Sequence, residues 1–330
     1  MQKLSAAEIS GLWVSYMVDS MAVCCLGHFL KKCEDEDVAA ILRYARHLSE
    51  RHVATVAELF RAESIPVPVG FTDRDANVDA PRLFSDEFVL LYLHQLSNQG
   101  MAFYAKMLAV VAREDVHRFY MECSASSIEL NANTKKALLT KGLYVRPPYA
   151  PVADHAEMVE GSGFLRGFLG ERRPLSVLEI MNCFYNLQTT EIVKTLLLGF
   201  AQVAETKAAK DFFGRGRLIA QRQADWFRST LSDEDLSAAS PWNTYVSDST
   251  TSPFSDKLML FHLSVLTGAG IEQYGFCLST SMRRDLGAKY AQLLAEMVTY
   301  NDDAAKLMIE RGWMEQPPLI VDREALQPNG

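Results

Sequence analysis

Apolar side chains recur along the chain at the three- and four-residue spacing of an α-helix. The first such segment begins behind Ser5, whose spacing to Glu8 is that of a capping box, and it runs to about Cys33. Its apolar positions are Ile9, Leu12, Tyr16, Val23, Leu26 and Leu30. Three further segments of this kind follow, the last ending at Gly142. The pattern therefore predicts four helices, A to D, in the first half of the chain.

The same pattern then occurs a second time. LSAAEI at residues 4–9 matches LSVLEI at 175–180, and KGLYVRPP at 141–148 aligns with RGWMEQPP at 311–318. The offset stays at 170–171 residues from one end to the other. A constant offset over a long stretch is the mark of an internal repeat. We therefore predict a tandem duplication of one helical unit.

The lengths of the connections favour one topology. Helices A and B, and helices C and D, are joined by tight turns, whereas B and C are separated by residues 64–84 in copy one and 232–254 in copy two. About 20 extended residues reach roughly 66 Å, which exceeds the ~39 Å length of a helix of about 26 residues. One long crossover is the ferritin-like arrangement. The sequence predicts an all-α fold of two tandem ferritin-like four-helix bundles, each with a long B–C crossover, at residues 1–149 and 174–330 with a linker at 150–173.

Composition narrows the class of protein. The chain of 330 residues is 48% hydrophobic, which excludes a disordered protein, and its 33 basic and 41 acidic residues give a net charge of −8. Without a basic stripe, we expect neither nucleic acid nor an anionic membrane as a partner.

Asp19, Lys31 and Lys32 interrupt the longest apolar stretch and no secretory leader is evident, so we expect no membrane insertion and a cytoplasmic location. The six cysteines lack CxxC spacing and are typical of buried, reduced thiols.

Several segments are similar to a family found in endospore-forming bacteria. They are LWVSYMVDSM (12–21), APRLFSDEF (80–88), KGLYVRPPY (141–149), SPFSDKLM (252–259) and MRRDLG (282–287). Members are sometimes labelled spore-coat proteins, akin to the F-type coat protein. The resemblance covers nearly the whole chain. It implies tandem ferritin-like bundles and an association with the spore, and it implies no activity and no site residues, because the family has no established activity.

Polar residues interrupt the apolar stripes of copy one. Asp19 lies in the stripe of helix A and His52 in that of helix B, at nearly the same distance from the A–B turn. We therefore expect them to face each other at mid-bundle. Glu129 on helix D is at the same level, whereas His94 on helix C is about six residues higher, or roughly 9 Å, in a second layer.

Two interpretations of these residues remain open. A polar group in a bundle seam must be hydrogen-bonded, paired or metal-bound. In the first interpretation Asp19, His52, His94 and Glu129 form a metal site suited to zinc, manganese or iron. In the second, both copies need a polar layer and fill it differently. The corresponding residues of copy two are Thr190, Gln223, Ser264 and Thr299.

The function predicted from the sequence is that of a non-catalytic structural or interaction protein, associated with sporulation through the family resemblance. Its expected partners are a second copy of itself or spore-coat proteins. The alternative is a ferritin-like metal-binding protein with a single mid-bundle site in copy one and oxidoreductase-like or ligand-sensing chemistry. The chain has no Gly-rich phosphate loop, no Gly-x-Ser-x-Gly and no His-Glu-x-x-His, so no cofactor beyond that metal is indicated.

Overall fold

The computed structural model describes residues 3–150, 152, 154–168, 172–238 and 241–320, so parts of the predicted linker and of the end of copy two lie outside it. Within these residues the chain forms eight α-helices and no β-strand. The helices are α1 (Ala6–Lys32), α2 (Glu36–Ala62), α3 (Asp86–Leu108), α4 (Glu114–Thr140), α5 (Val177–Val203), α6 (Lys207–Ser232), α7 (Asp256–Thr280) and α8 (Arg284–Glu310). The first four belong to copy one and the last four to copy two.

Local sequence signals set the ends of these helices. The Ser5 hydroxyl accepts from the backbone N–H of Glu8, and the Glu8 carboxylate accepts from the N–H of Ser5, which completes the predicted capping box. The same box starts α5 in copy two. Gly142 and Gly312 follow α4 and α8 with φ of +69° and +66°, a conformation that glycine adopts without strain.

Each copy is a four-helix bundle with one long crossover. Tight turns join α1 to α2 and α3 to α4, and these helices pack against each other in pairs, as do α5 with α6 and α7 with α8. Residues 63–85 and 233–255 connect the second helix of each copy to the third. The predicted all-α fold of two tandem bundles is therefore confirmed. A closer likeness to ferritins, and the domain limits in residue numbers, stay predictions.

The two copies pack against each other and share a core. The largest cluster of buried apolar side chains contains Phe29 and Leu90 of copy one together with Phe200 and Leu260 of copy two. The buried residues of each of the two smaller clusters come from a single copy. Helix α1 contacts α7, and α3 contacts α5, which is the same pairing with the copies exchanged. The duplication therefore produces one packed unit in place of two separate bundles.

The long crossovers exchange backbone hydrogen bonds between the copies. The N–H of Ser85 donates to the carbonyl of Tyr245, and the N–H of Ser255 donates to the carbonyl of Asp75, both at 2.9 Å. Ser85 corresponds to Ser255 and Asp75 to Tyr245 at an offset of 170. The same hydrogen bond is therefore formed twice, once from each copy to the other. The isolated bridges Ala76–Phe254 and Phe84–Val246 are related in the same way. An approximate two-fold axis therefore relates the two copies.

Charged residues interrupt helix α1 less than expected from the sequence. By length and composition it is the one helix of the described residues that could cross a membrane. It meets that criterion because Asp19 is the only Asp, Glu, Lys or Arg between Glu8 and Lys31, so the interruption is weaker than expected. About 56% of its apolar stretch is buried inside the protein. Such burial is also found in the core helices of globular bundles.

Candidate functional site: a cavity between the two copies

A cavity of about 530 Å³ lies between the two copies and is lined by residues of all eight helices. Its walls are mostly apolar, and they include leucines at equivalent positions of the two copies. These pairs are Leu26 and Leu197, Leu93 and Leu263, and Leu96 and Leu266. The volume and the apolar lining are typical of sites for small organic molecules.

Asp19 and His52 lie in the wall of this cavity on the side of copy one. The tight turn between α1 and α2 brings them to one level, where Asp19 Oδ2 is 3.2 Å from His52 Nδ1. The other ring nitrogen, Nε2, is 3.4 Å from Cys123 Sγ of α4. A carboxylate, an imidazole and a thiol therefore form a chain of contacts through opposite sides of one ring.

The side chains around Asp19, His52 and Cys123 are apolar and aromatic. The Asp19 and His52 side chains are 10% and 12% exposed, and Cys123 is fully buried. The rings of Tyr104 and Phe119 lie edge-on to His52, with centroids 6.1 and 5.6 Å away. Burial raises the pKa of the Cys123 thiol well above its usual value, and the Asp19 charge raises it further. The thiol therefore stays protonated and can donate to His52.

Copy two has uncharged side chains at the two positions of Asp19 and His52. Thr190 replaces Asp19 and Gln223 replaces His52. The Tyr274 hydroxyl donates to Gln223 Oε1 at 2.9 Å, and Gln223 Nε2 donates to Glu296 at 3.3 Å. Both copies therefore contain a hydrogen-bonded polar layer, and only copy one places an ionisable pair against the cavity.

His94 and Glu129 have their partners elsewhere. His94 Nδ1 lies 3.0 Å from the Thr134 hydroxyl, and burial lowers the pKa of this imidazole to about 4. Glu129 is exposed and accepts a hydrogen bond of 2.7 Å from the Tyr44 hydroxyl. Equal height along the bundle did not place Glu129 beside Asp19, because its side chain lies on the outer face of α4.

The arrangement around His52 does not fit a metal ion. Both ring nitrogens already have a partner, in Asp19 and Cys123. Across the ranges that the structure describes, no three His, Cys, Asp or Glu side chains are grouped to hold a metal. The site of zinc, manganese or iron predicted from the sequence stays a prediction that this geometry does not support.

A second buried imidazole lies where the two-fold axis passes. Tyr92 and His262 occupy equivalent positions, and the Tyr92 hydroxyl meets His262 Nε2 at 2.6 Å. Burial lowers the pKa of His262 to about 4, so the ring is neutral at pH 7. Its Nδ1 has no hydrogen-bond partner among the described residues, and the residue lines the cavity. The Tyr92 hydroxyl therefore satisfies one of the two ring nitrogens of His262.

One ion pair spans the two copies at the edge of the cavity. Lys106 Nζ of α3 lies 2.7 Å from Glu272 Oε1 of α7, with both side chains more than half exposed. Both residues line the cavity. The cavity is therefore closest to solvent at this ion pair.

Sequence reasoning missed the cavity and the role of Cys123. The cavity forms from the packing of the copies, about which the repeat by itself says nothing. Cys123 lies in the apolar stripe of α4, and the sequence showed no histidine framework around any cysteine. A comparison of the copies offers a signal, because Asp19, His52 and Cys123 differ together from Thr190, Gln223 and Leu293.

These observations define the class as an all-α tandem-repeat protein with a cavity between its repeats. The sequence matches the family described as Protein of unknown function (DUF3231) over residues 1–155 and 163–326, and the chain belongs to that family. No curated protein matches it at a significant level. Among solved structures, a candidate spore coat protein from Bacillus halodurans is 17% identical, with a TM-score of 0.42 over 46% of this chain and 98% of that one.

Proposed function

We propose that the protein is a non-catalytic binding protein that holds a small, largely apolar molecule in the cavity between its two copies. The observation that supports this proposal is the cavity of about 530 Å³, with mostly apolar walls supplied by both copies. A cavity of this size and lining matches the sites that bury small organic ligands. The polar groups in its walls, such as Asp19, His52 and His262, would orient such a ligand.

A neutral fluorescent probe tests the proposal. N-phenyl-1-naphthylamine should bind with saturation and one site per chain, and its emission should rise on leaving water. Ala22 lines the cavity, where copy two has Val193, and Ala22→Phe should weaken probe binding at least tenfold by filling the space. Ala40→Phe on the exposed face of α2 is the matched control and should leave binding unchanged. Non-saturable binding, or equal binding by Ala22→Phe, would contradict the proposal.

We propose the spore as the setting of this function, on the resemblance of the sequence motifs to a family with members labelled spore-coat proteins. The named neighbour from Bacillus halodurans carries the same label, although its structural similarity is too low to support an argument. Quantitative mass spectrometry of coat extracts and of vegetative cytosol from the producing organism tests the setting. Enrichment in the coat is expected, and detection in vegetative cytosol alone would overturn it.

A further inference from the structure

One carboxylate in the walls of the cavity has no lysine or arginine partner among the described residues. The charged side chains that line it are Asp19, Lys106 and Glu272. Lys106 and Glu272 pair with each other at the exposed edge, which leaves Asp19. In the part of the chain that the structure describes, Asp19 contacts the His52 ring, and no Lys or Arg pairs with it.

His52 can make both of its contacts without becoming a cation. Asp19 as a carboxylate can only accept a hydrogen bond, so His52 Nδ1 carries the proton between them. The Cys123 thiol is a donor, so His52 Nε2 accepts from it. A single ring proton is enough for both contacts of His52, and in this arrangement the Asp19 carboxylate lies in the apolar wall with no cationic side chain from the described ranges against it. A buried charge without a counter-ion is unfavourable unless something pairs with it.

The fold does not need this charge. Copy two keeps the same four helices and pairs them in the same way, with Thr190, Gln223 and Leu293 at the three positions. The ionisable group is thus a feature of one wall of the cavity and not of the bundle. Tyr104, which also lines the cavity, adds an aromatic ring beside the group, and aromatic rings attract cations.

We infer that the ligand of this cavity is an organic cation, an amine whose ammonium group pairs with Asp19 and whose apolar part lies between the leucines of the two copies. The inference rests on the proposed function, because it names the chemical class of the molecule that the cavity holds. A charge-assisted hydrogen bond to Asp19 is about twice as strong as a neutral one. An amine should therefore be favoured over an alcohol or a carboxylate with the same apolar chain.

Calorimetric titration with octylammonium, octanol and octanoate at pH 7 tests the inference on the full chain. The three probes share one apolar chain and differ in the polar group. We expect octylammonium to bind at least tenfold more tightly than octanol, which is about 1.4 kcal/mol, and octanoate to bind most weakly. The wild-type protein alone gives this ranking, so the test does not depend on a variant that folds.

Substitutions at Asp19 test whether this residue causes the preference for the amine. Asp19→Asn, or Asp19→Thr with the residue of copy two, should bind octylammonium and octanol equally. Asp248→Asn makes the same change of charge on an exposed residue outside the cavity, and it should keep the preference for the amine.

Three outcomes of these titrations would contradict the inference. Equal binding of octylammonium and octanol by the wild type overturns the inference and leaves the proposed function in place. Amine preference that survives in Asp19→Asn also overturns it, since the cation would then pair with another group. Failure of all three probes to bind overturns the proposed function and the inference with it.

Discussion

Single residues show which interior contacts can be read from the sequence. Asp19 and His52 could be placed at one level because a tight turn joins their helices and fixes their heights. Cys123 and Tyr92 could not be placed, because long connections separate their helices from those of their partners. The position of a side chain around the helix also matters, as Glu129 shows by lying at the surface beside Tyr44.

The hydrogen bond between Tyr92 and His262 makes a prediction for stability. Tyr92→Phe removes the partner of one nitrogen of a buried imidazole whose other nitrogen, His262 Nδ1, has no partner within the described ranges. We expect a loss of about 1–3 kcal/mol in the free energy of unfolding, measured by urea denaturation. Tyr44→Phe removes a hydroxyl that bonds an exposed carboxylate and should change stability by less than about 0.5 kcal/mol. Equal effects of the two substitutions would contradict this interpretation.

The buried histidines predict a dependence of stability on pH. Burial lowers the pKa values of His28, His94 and His262 from 6.5 to about 4. Between these values the unfolded chain binds protons that the folded protein does not bind, so the free energy of unfolding falls as the pH falls from about 6.5 to 4. Each histidine adds at most about 1.4 kcal/mol per pH unit.

Urea denaturation at pH 7, 6 and 5 measures this slope. His94→Gln should reduce it, whereas His47→Gln, which replaces an exposed imidazole, should leave it unchanged. Stability that stays constant or increases on acidification to pH 5 would show that the buried rings are already protonated in the folded protein.

Helices and connections were predictable to different degrees. The ends of α1 and α5 followed from Ser-x-x-Glu capping boxes, and the end of α4 from Gly142, because capping involves residues close in sequence. The length of the B–C crossover indicated its path along the bundle. Its composition gave no sign that each crossover pairs with the other copy, since these few backbone bonds depend on how the copies pack.

The contact of one crossover with the other copy makes a steric prediction. A Cβ at Gly199 in α5 would lie 2.6 Å from the ring of Phe84, so Gly199→Ala must displace that ring. We expect a loss of about 1–3 kcal/mol on thermal or urea unfolding.

Gly268→Ala in α7 is the matched control. No atom of the described residues outside its own helix lies within 4 Å of the new methyl group, so alanine should stabilise the helix by about 0.5–1 kcal/mol. Opposite signs are therefore expected for the same substitution. A neutral or stabilising Gly199→Ala would show that α5 does not pack on Phe84 as described.

At the scale of the whole molecule, the packing of the two copies creates a feature that neither copy contains alone. The repeat gave the number of bundles, and the predicted metal site was sought inside one of them. The cavity lies instead between the bundles, in a region that forms only when α1 and α3 meet α7 and α5. Internal similarity in a sequence shows that a unit is duplicated, and it carries no signal for the surface through which the units pack.

The shared core predicts cooperative unfolding. Because the largest apolar cluster contains residues of both copies, neither copy can unfold without exposing the core of the other. Scanning calorimetry should show a single transition with equal calorimetric and van't Hoff enthalpies. Two resolved transitions, or a calorimetric enthalpy twice the van't Hoff value, would indicate bundles that fold independently.

The cavity itself can be observed in a crystal pressurised with xenon, which enters apolar cavities in proteins. Xenon density should lie between α1, α3, α5 and α7, against Leu96 and Leu266, and it should be absent in Ala22→Phe. Helices packed in direct contact there, without xenon, would contradict a binding cavity between the copies.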